Sequence, residues 1–106
     1  MPFRLFYLPS YERCLKKLGN RESQTVALII AALLDYFQSN AFRTGEPHVF
    51  RSGQRSHRLI FKKLRGSIWE AYVEGHIRIV TLLEGDKHFL VFAGNHDQVR
   101  QFLKES

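Results

Sequence analysis

Three apolar segments crowd into the stretch from Ile68 to Ala93, and the connections between them leave room only for hairpin turns. Ile68–Val73, Ile77–Leu83 and Phe89–Ala93 are rich in β-branched and aromatic residues, and they are separated by Glu74-Gly75-His76 and Glu84-Gly85-Asp86-Lys87. Short runs of this kind with glycine-bearing loops read as an antiparallel meander. Side chains alternate across a strand, so the register follows from which residues must face the core. A three-residue loop at 74–76 sets Arg78 opposite Tyr72 and puts Glu70 on the same face. It also aligns Ile77 and Ile79 with Val73 and Ala71 on the apolar face, together with Trp69. A two-residue loop places Arg78 among the core residues, so the three-residue loop is expected.

The N-terminal half has a different period. Phe3–Leu8 alternates and reads as a strand that ends at Pro9, with Ser10 as N-cap of a short helix. Tyr11, Cys14, Leu15 and Leu18 follow at helical spacing, and Gly19-Asn20 closes that helix. A second helix is expected from about Arg21 to Phe37, with Val26, Ile29, Ile30, Leu33 and Phe37 on one stripe. Leu28 and Leu34 lie off the stripe, so the middle is apolar almost all round. It needs cover on more than one side, from the other helix and the sheet or from a partner protein. Gln38–Arg58 lacks a sustained period and contains Gly45, Pro47 and Gly53, so it reads as a long loop. Leu59–Leu64 adds a short strand. A last helix starts near His96, with Val99, Phe102 and Leu103 as its stripe. Asn95 and Gln98 have the spacing of a capping box, which sets His96 in the first turn, where free backbone N–H groups favour phosphate.

A chain of 106 residues with 44% hydrophobic content suits one domain, 1–106, with one compact core. Strands after a helical pair give the class α+β. The longest apolar run, Val26–Leu34, falls far short of a membrane span. The first residues lack the apolar stretch of a secretion signal, and the lone Cys14 has no internal partner. A cytoplasmic protein with no membrane partner is therefore expected. The five histidines show no metal-ligand spacing, so no metal or cofactor is expected.

Charge is unevenly placed. Between Arg43 and Arg65 stand seven basic residues and one acid, Glu46, which accounts for the whole net charge of +6. Such concentration favours a polyanion through counterion release, and nucleic acid is the expected partner.

The order of elements resembles the RelE/ParE superfamily of bacterial toxins. Lys62-Lys63-Leu64-Arg65-Gly66 is similar to the family's basic lead-in to the meander, and Trp69-Glu70-Ala71-Tyr72-Val73 to its first meander strand. His76-Ile77-Arg78-Ile79-Val80 resembles the strand in which an arginine opens an aliphatic run. Gly94-Asn95-His96-Asp97 resembles the ending of members with a late active-site histidine. The resemblance implies a RelE-like fold, with an N-terminal strand and two helices packed on an antiparallel sheet and a C-terminal helix. It also implies a toxin of a type II toxin–antitoxin system, a metal-independent endoribonuclease that cleaves mRNA at the ribosome and is neutralised by a protein antitoxin. Other members inhibit DNA gyrase without nuclease activity. A basic nucleic-acid-binding module without chemistry fits the charge segment as well.

Cleavage through the ribose 2′-hydroxyl needs a base, an acid and cations for the phosphorane. His96 is the candidate acid, since imidazole exchanges protons near neutrality. Arg78 is the candidate phosphate ligand, with a bidentate fork that stays charged. Glu70 is a candidate base, or the ion-pair partner of Arg78. His57 resembles an early catalytic histidine of some members. Arg58, Lys62, Lys63 and Arg65 are candidate RNA contacts, and Leu28 and Leu34 candidate antitoxin contacts. Many nuclease members carry a further arginine on the last strand, whereas Phe89–Ala93 has no cation here.

Overall fold

The computed structural model describes residues 4–38, 48–73 and 76–105. The elements run β1 (Arg4–Tyr7), α1 (Pro9–Lys17), α2 (Asn20–Gln38), β2 (His48–Ser52), β3 (Arg55–Arg65), β4 (Ile68–Tyr72), β5 (Ile77–Glu84), β6 (Lys87–Asn95) and α3 (His96–Glu105). They form an α+β fold with one six-stranded sheet in the order β1-β6-β5-β4-β3-β2.

The meander from β4 to β6 has the expected register. Ala71 lies opposite Ile79 and Glu70 opposite Val80, which carries Tyr72 opposite Arg78. Ala71, Val73, Ile77 and Ile79 are buried together in the core. Of the three-residue connection, Glu74 and Gly75 lie outside the described residues. A register shift at Val80/Thr81 lets Val80 face Phe92 while Thr81 faces Leu90. Such a bulge bends the strand and re-aims its side chains.

Two expectations about the sheet are corrected. It is mixed rather than antiparallel, because β1 pairs parallel with β6, Arg4 to Lys87 through Tyr7 to Leu90. The stretch read as a loop up to Arg58 contains β2 and the first residues of β3. His48 pairs with Leu59 and Ser52 with Arg55 across a two-residue turn, in which Gly53 takes a positive φ of 63°. Glycine adopts that conformation without steric cost, which makes the tight hairpin available here. Residues 39–47 of the expected loop lie outside the described residues.

Helices α1 and α2 cover one face. Val26, Ile29, Ala32, Leu33, Tyr36 and Phe37 bury the inner side of α2 against Leu59, Ala71, Ile79 and Leu90. Burying one such aliphatic side chain contributes about 1.5–3 kcal/mol. Helix α1 begins at Pro9, with Leu8 as N-cap, so Ser10 is not the cap that its sequence position suggests. Proline suits the first turn because its missing N–H needs no partner there. The Ser10 hydroxyl instead donates to the Val91 carbonyl at 2.6 Å, tying α1 to β6 at the bulge. Gly19 serves α2 more than α1: its carbonyl accepts from Ser23 N–H, and its own N–H donates to Glu22.

Helix α3 packs on the opposite face. Phe92 stacks on Phe102 at 4.5 Å, and Val80 and Val99 are buried beneath. The Arg65 guanidinium donates to the Leu103 carbonyl at 3.0 Å, which satisfies an acceptor in the helix's last turn. Among the described residues no helix is long and apolar enough to cross a membrane.

Candidate functional site

The face on which α3 sits is only partly covered by it. On the uncovered part, alternation along β3, β4 and β5 brings out Lys62, Glu70, Tyr72 and Arg78. Lys62 pairs in register with Glu70, and β5 follows on the other side of β4. Glu70 is 4% exposed, yet both its oxygens have cations. Arg78 Nη1 donates to Oε1 at 3.3 Å, and Lys62 Nζ lies 3.7 Å from Oε2. The Arg78 guanidinium also lies over the Tyr72 ring at 3.9 Å, with Lys62 Nζ 5.8 Å from the same centroid. Cation–π attraction strengthens where water is excluded, so Tyr72 holds Arg78 from below while Glu70 holds it from the side. Arg78 Nε is buried without a hydrogen-bond partner. The arginine is thus fixed in place with part of its donor set unspent.

His96 stands at the first position of α3, after the strand residue that closes β6. The capping box forms as expected: Gln98 N–H donates to Asn95 Oδ1 and Asn95 N–H to Gln98 Oε1, both at 2.8 Å. The imidazole is exposed. The register sets Arg78 opposite Gly94 and Ile77 opposite Asn95, so Arg78 and the start of α3 occupy the same end of the β5–β6 pair. Gly94 lets the helix start close to the strand. A Cβ there would meet Gln98 Oε1 at 2.8 Å and Phe92 Cε2 at 3.1 Å.

The other sequence candidates are distributed differently. Arg58 lies on β3 four residues before Lys62, on the face of Glu70 and Arg78, and is exposed. Lys63 pairs with Trp69, whose ring stacks on Phe61 toward the helical face, so Lys63 belongs to the opposite side. Arg65 follows a register shift and reaches α3. His57 pairs with Phe50 and its ring lies tilted against the Phe50 ring, 5.4 Å between centroids, on the face that α2 covers. The sheet therefore separates His57 from Glu70 and Arg78. Leu34 is 40% exposed, whereas Leu28 packs against the core.

Two features escaped the sequence. His48 Nε2 bonds Asp35 Oδ2 and its ring stacks on Phe50, pinning β2 to α2; the sequence hides this because His48 stands in a stretch without a sustained period. His88 is fully buried on the helical face, with Phe37 at 4.7 Å and Phe61 at 5.6 Å. Neither ring nitrogen has a partner, and burial pushes its pKa down from 6.5 to about 4. It is a neutral core residue. Among the described residues no group of three or more His, Cys, Asp or Glu is placed to hold a metal. No protein-family model matches the chain, and no curated protein matches it significantly.

Proposed function

We propose that this protein is a RelE-like toxin, an endoribonuclease that cleaves mRNA at the ribosome without a metal and is neutralised by a protein antitoxin. The observation that carries the reading is the fixed Arg78 beside a buried carboxylate, at the end of the sheet where α3 begins with His96. In this scheme the ribose 2′-oxygen attacks the adjacent phosphorus and the bond to the 5′-oxygen breaks, leaving a 2′,3′-cyclic phosphate and a 5′-hydroxyl. Arg78 and Lys62 stabilise the phosphorane, and His96 supplies the proton to the departing 5′-oxygen. In the resting protein Glu70 positions Arg78. When a phosphate draws Lys62 away, the freed carboxylate oxygen is the proton acceptor for the 2′-hydroxyl. Lys62 supplies a cation that β6 lacks. His57 takes no part, because it lies across the sheet.

The antitoxin surface in this reading is the apolar groove between α1 and α2, about 460 Å³, lined by Tyr7, Tyr11, Leu15, Val26, Ala27 and Ile30, with Leu34 exposed on the same helix. Leu28 contributes at the other flank of α2, beside Phe50.

Induced expression in bacteria, followed by mapping of mRNA 5′ ends, tests the nuclease. Codon-phased cuts that vanish in His96→Ala and Arg78→Ala are expected. Growth arrest with intact mRNA would refute cleavage and favour gyrase inhibition, a reading to which the cation-free stretch Phe89–Ala93 of β6 lends weight. No arrest would leave a nucleic-acid-binding module.

A further inference from the structure

The β2–β3 hairpin reaches past the rest of the sheet. Strand β4 pairs with β3 only from Ile60 to Arg65, whereas β2 pairs with the part before it, from Arg55 to Leu59. His48–Leu59 is therefore a two-stranded ribbon that overhangs the end of β4. Its base is anchored to α2: His48 bonds Asp35, Tyr36 meets the His48 ring edge-on at 5.5 Å, and Phe50 is half-buried against the core. The outer part is unlike the base. Arg51, Arg55 and Arg58 are all exposed, Val49 is 59% exposed, and no acidic residue occurs between His48 and Arg65.

A ribbon with one face held by a helix and its other groups cationic needs a reason to be there, since strand edges unprotected by packing invite unwanted pairing. Charge accounts for both features: arginines discourage pairing with another sheet and attract a polyanion. Alternation then sets the direction. On β3, Arg58 and Lys62 share the face of Glu70 and Arg78, separated by about 13 Å at the usual strand rise. A cationic line thus runs from the ribbon to the Arg78 cluster.

We propose that this ribbon is a nucleic-acid-binding arm, in which Arg51 and Arg58, which the register places on the face of Glu70 and Arg78, hold the phosphate backbone of a strand that continues along β3 toward Arg78. The contact is to backbone and carries no sequence preference of its own. It does not depend on cleavage, so it stands or falls separately from the nuclease reading.

The test uses a fluorescein-labelled single-stranded RNA with 2′-O-methyl riboses, which cannot be cut through the 2′-oxygen. Fluorescence anisotropy gives its affinity across a salt series. Two variants of equal charge change are compared: Arg51 and Arg58→Gln, and Arg13 and Lys17→Gln on the exposed side of α1. With a slope of roughly 0.7 per neutralised phosphate, the ribbon variant should lower the log–log salt slope by about 1.4, and the α1 variant should leave it close to that of the wild type. Equal losses in both variants would mean net charge alone, and no loss in the ribbon variant would mean no contact; either overturns the proposal. Thermal unfolding confirms the fold. Should the double ribbon variant unfold, Arg58→Gln alone carries the test, with an expected slope change of about 0.7.

Discussion

Lowering the pH should weaken this protein through one residue. His88 is fully buried with neither ring nitrogen partnered, and its folded pKa is about 4 against an ordinary 6.5. Well above pH 6.5 the ring is uncharged in both states and the full stability is present. Below about 6.5 the unfolded chain takes up a proton that the folded core refuses, so stability falls as pH falls. The fall stops near pH 4, where the folded protein binds the proton too. Each pH unit of separation is worth about 1.4 kcal/mol, so the window contributes about 3 kcal/mol, a large share of the roughly 5–15 kcal/mol typical of a domain. Leucine at position 88 removes the titration while keeping an apolar side chain against Phe37 and Phe61. Urea unfolding followed by the fluorescence of Trp69, the single tryptophan, gives the stability of each protein from pH 7 to pH 4. The wild type should lose about 3 kcal/mol more than His88→Leu over that range. Taking the difference removes the other histidines, His48 with its Asp35 contact included. Parallel pH profiles for the two proteins would refute the reasoning.

Other perturbations have defined outcomes. Glu70→Gln leaves the half-buried Arg78 without its charge partner and should cost about 3 kcal/mol, read by denaturant unfolding; an unchanged midpoint would show that the pair is not structural. Gly94→Ala should destabilise by about 1–2 kcal/mol, because the added Cβ displaces the Gln98 side chain from its cap. Combining it with Gln98→Ala should cost less than the two single losses together, and simple additivity would place the clash elsewhere. Asn95→Ala should lower thermal stability by about 1 kcal/mol through loss of the α3 cap. If the proposed toxin reading holds, Leu34→Glu should weaken binding of the antitoxin in a pull-down titration while leaving the fold intact, and unchanged affinity would exclude that surface.

Local chemistry in the chain determined a good part of this. The alternation of Ile68–Val73 and Ile77–Leu83 settled which residues face the core, and with it that Glu70, Tyr72 and Arg78 share the other face. The Asn95–Gln98 spacing determined the cap that begins α3 at His96. These features depend on residues within a few positions of each other, where periodicity and capping act directly. What the sequence concealed depends on pairing at a distance. Nothing in Arg4–Tyr7 reveals that its partner is β6, some eighty residues on and parallel, because a short strand pattern specifies faces but not neighbours. Lys62 joined the Arg78 cluster only through the β3–β4 register, and the same alternation carried His57 to the other side of the sheet. The ribbon reads as a loop in the sequence because Gly53 interrupts the pattern, whereas in the fold that single positive-φ residue closes the hairpin. The tertiary structure alone decided that α3 covers one end of its face and leaves Glu70 and Arg78 beside it, since that choice rests on the packing of Val80, Phe92, Val99 and Phe102 across elements that no local pattern connects.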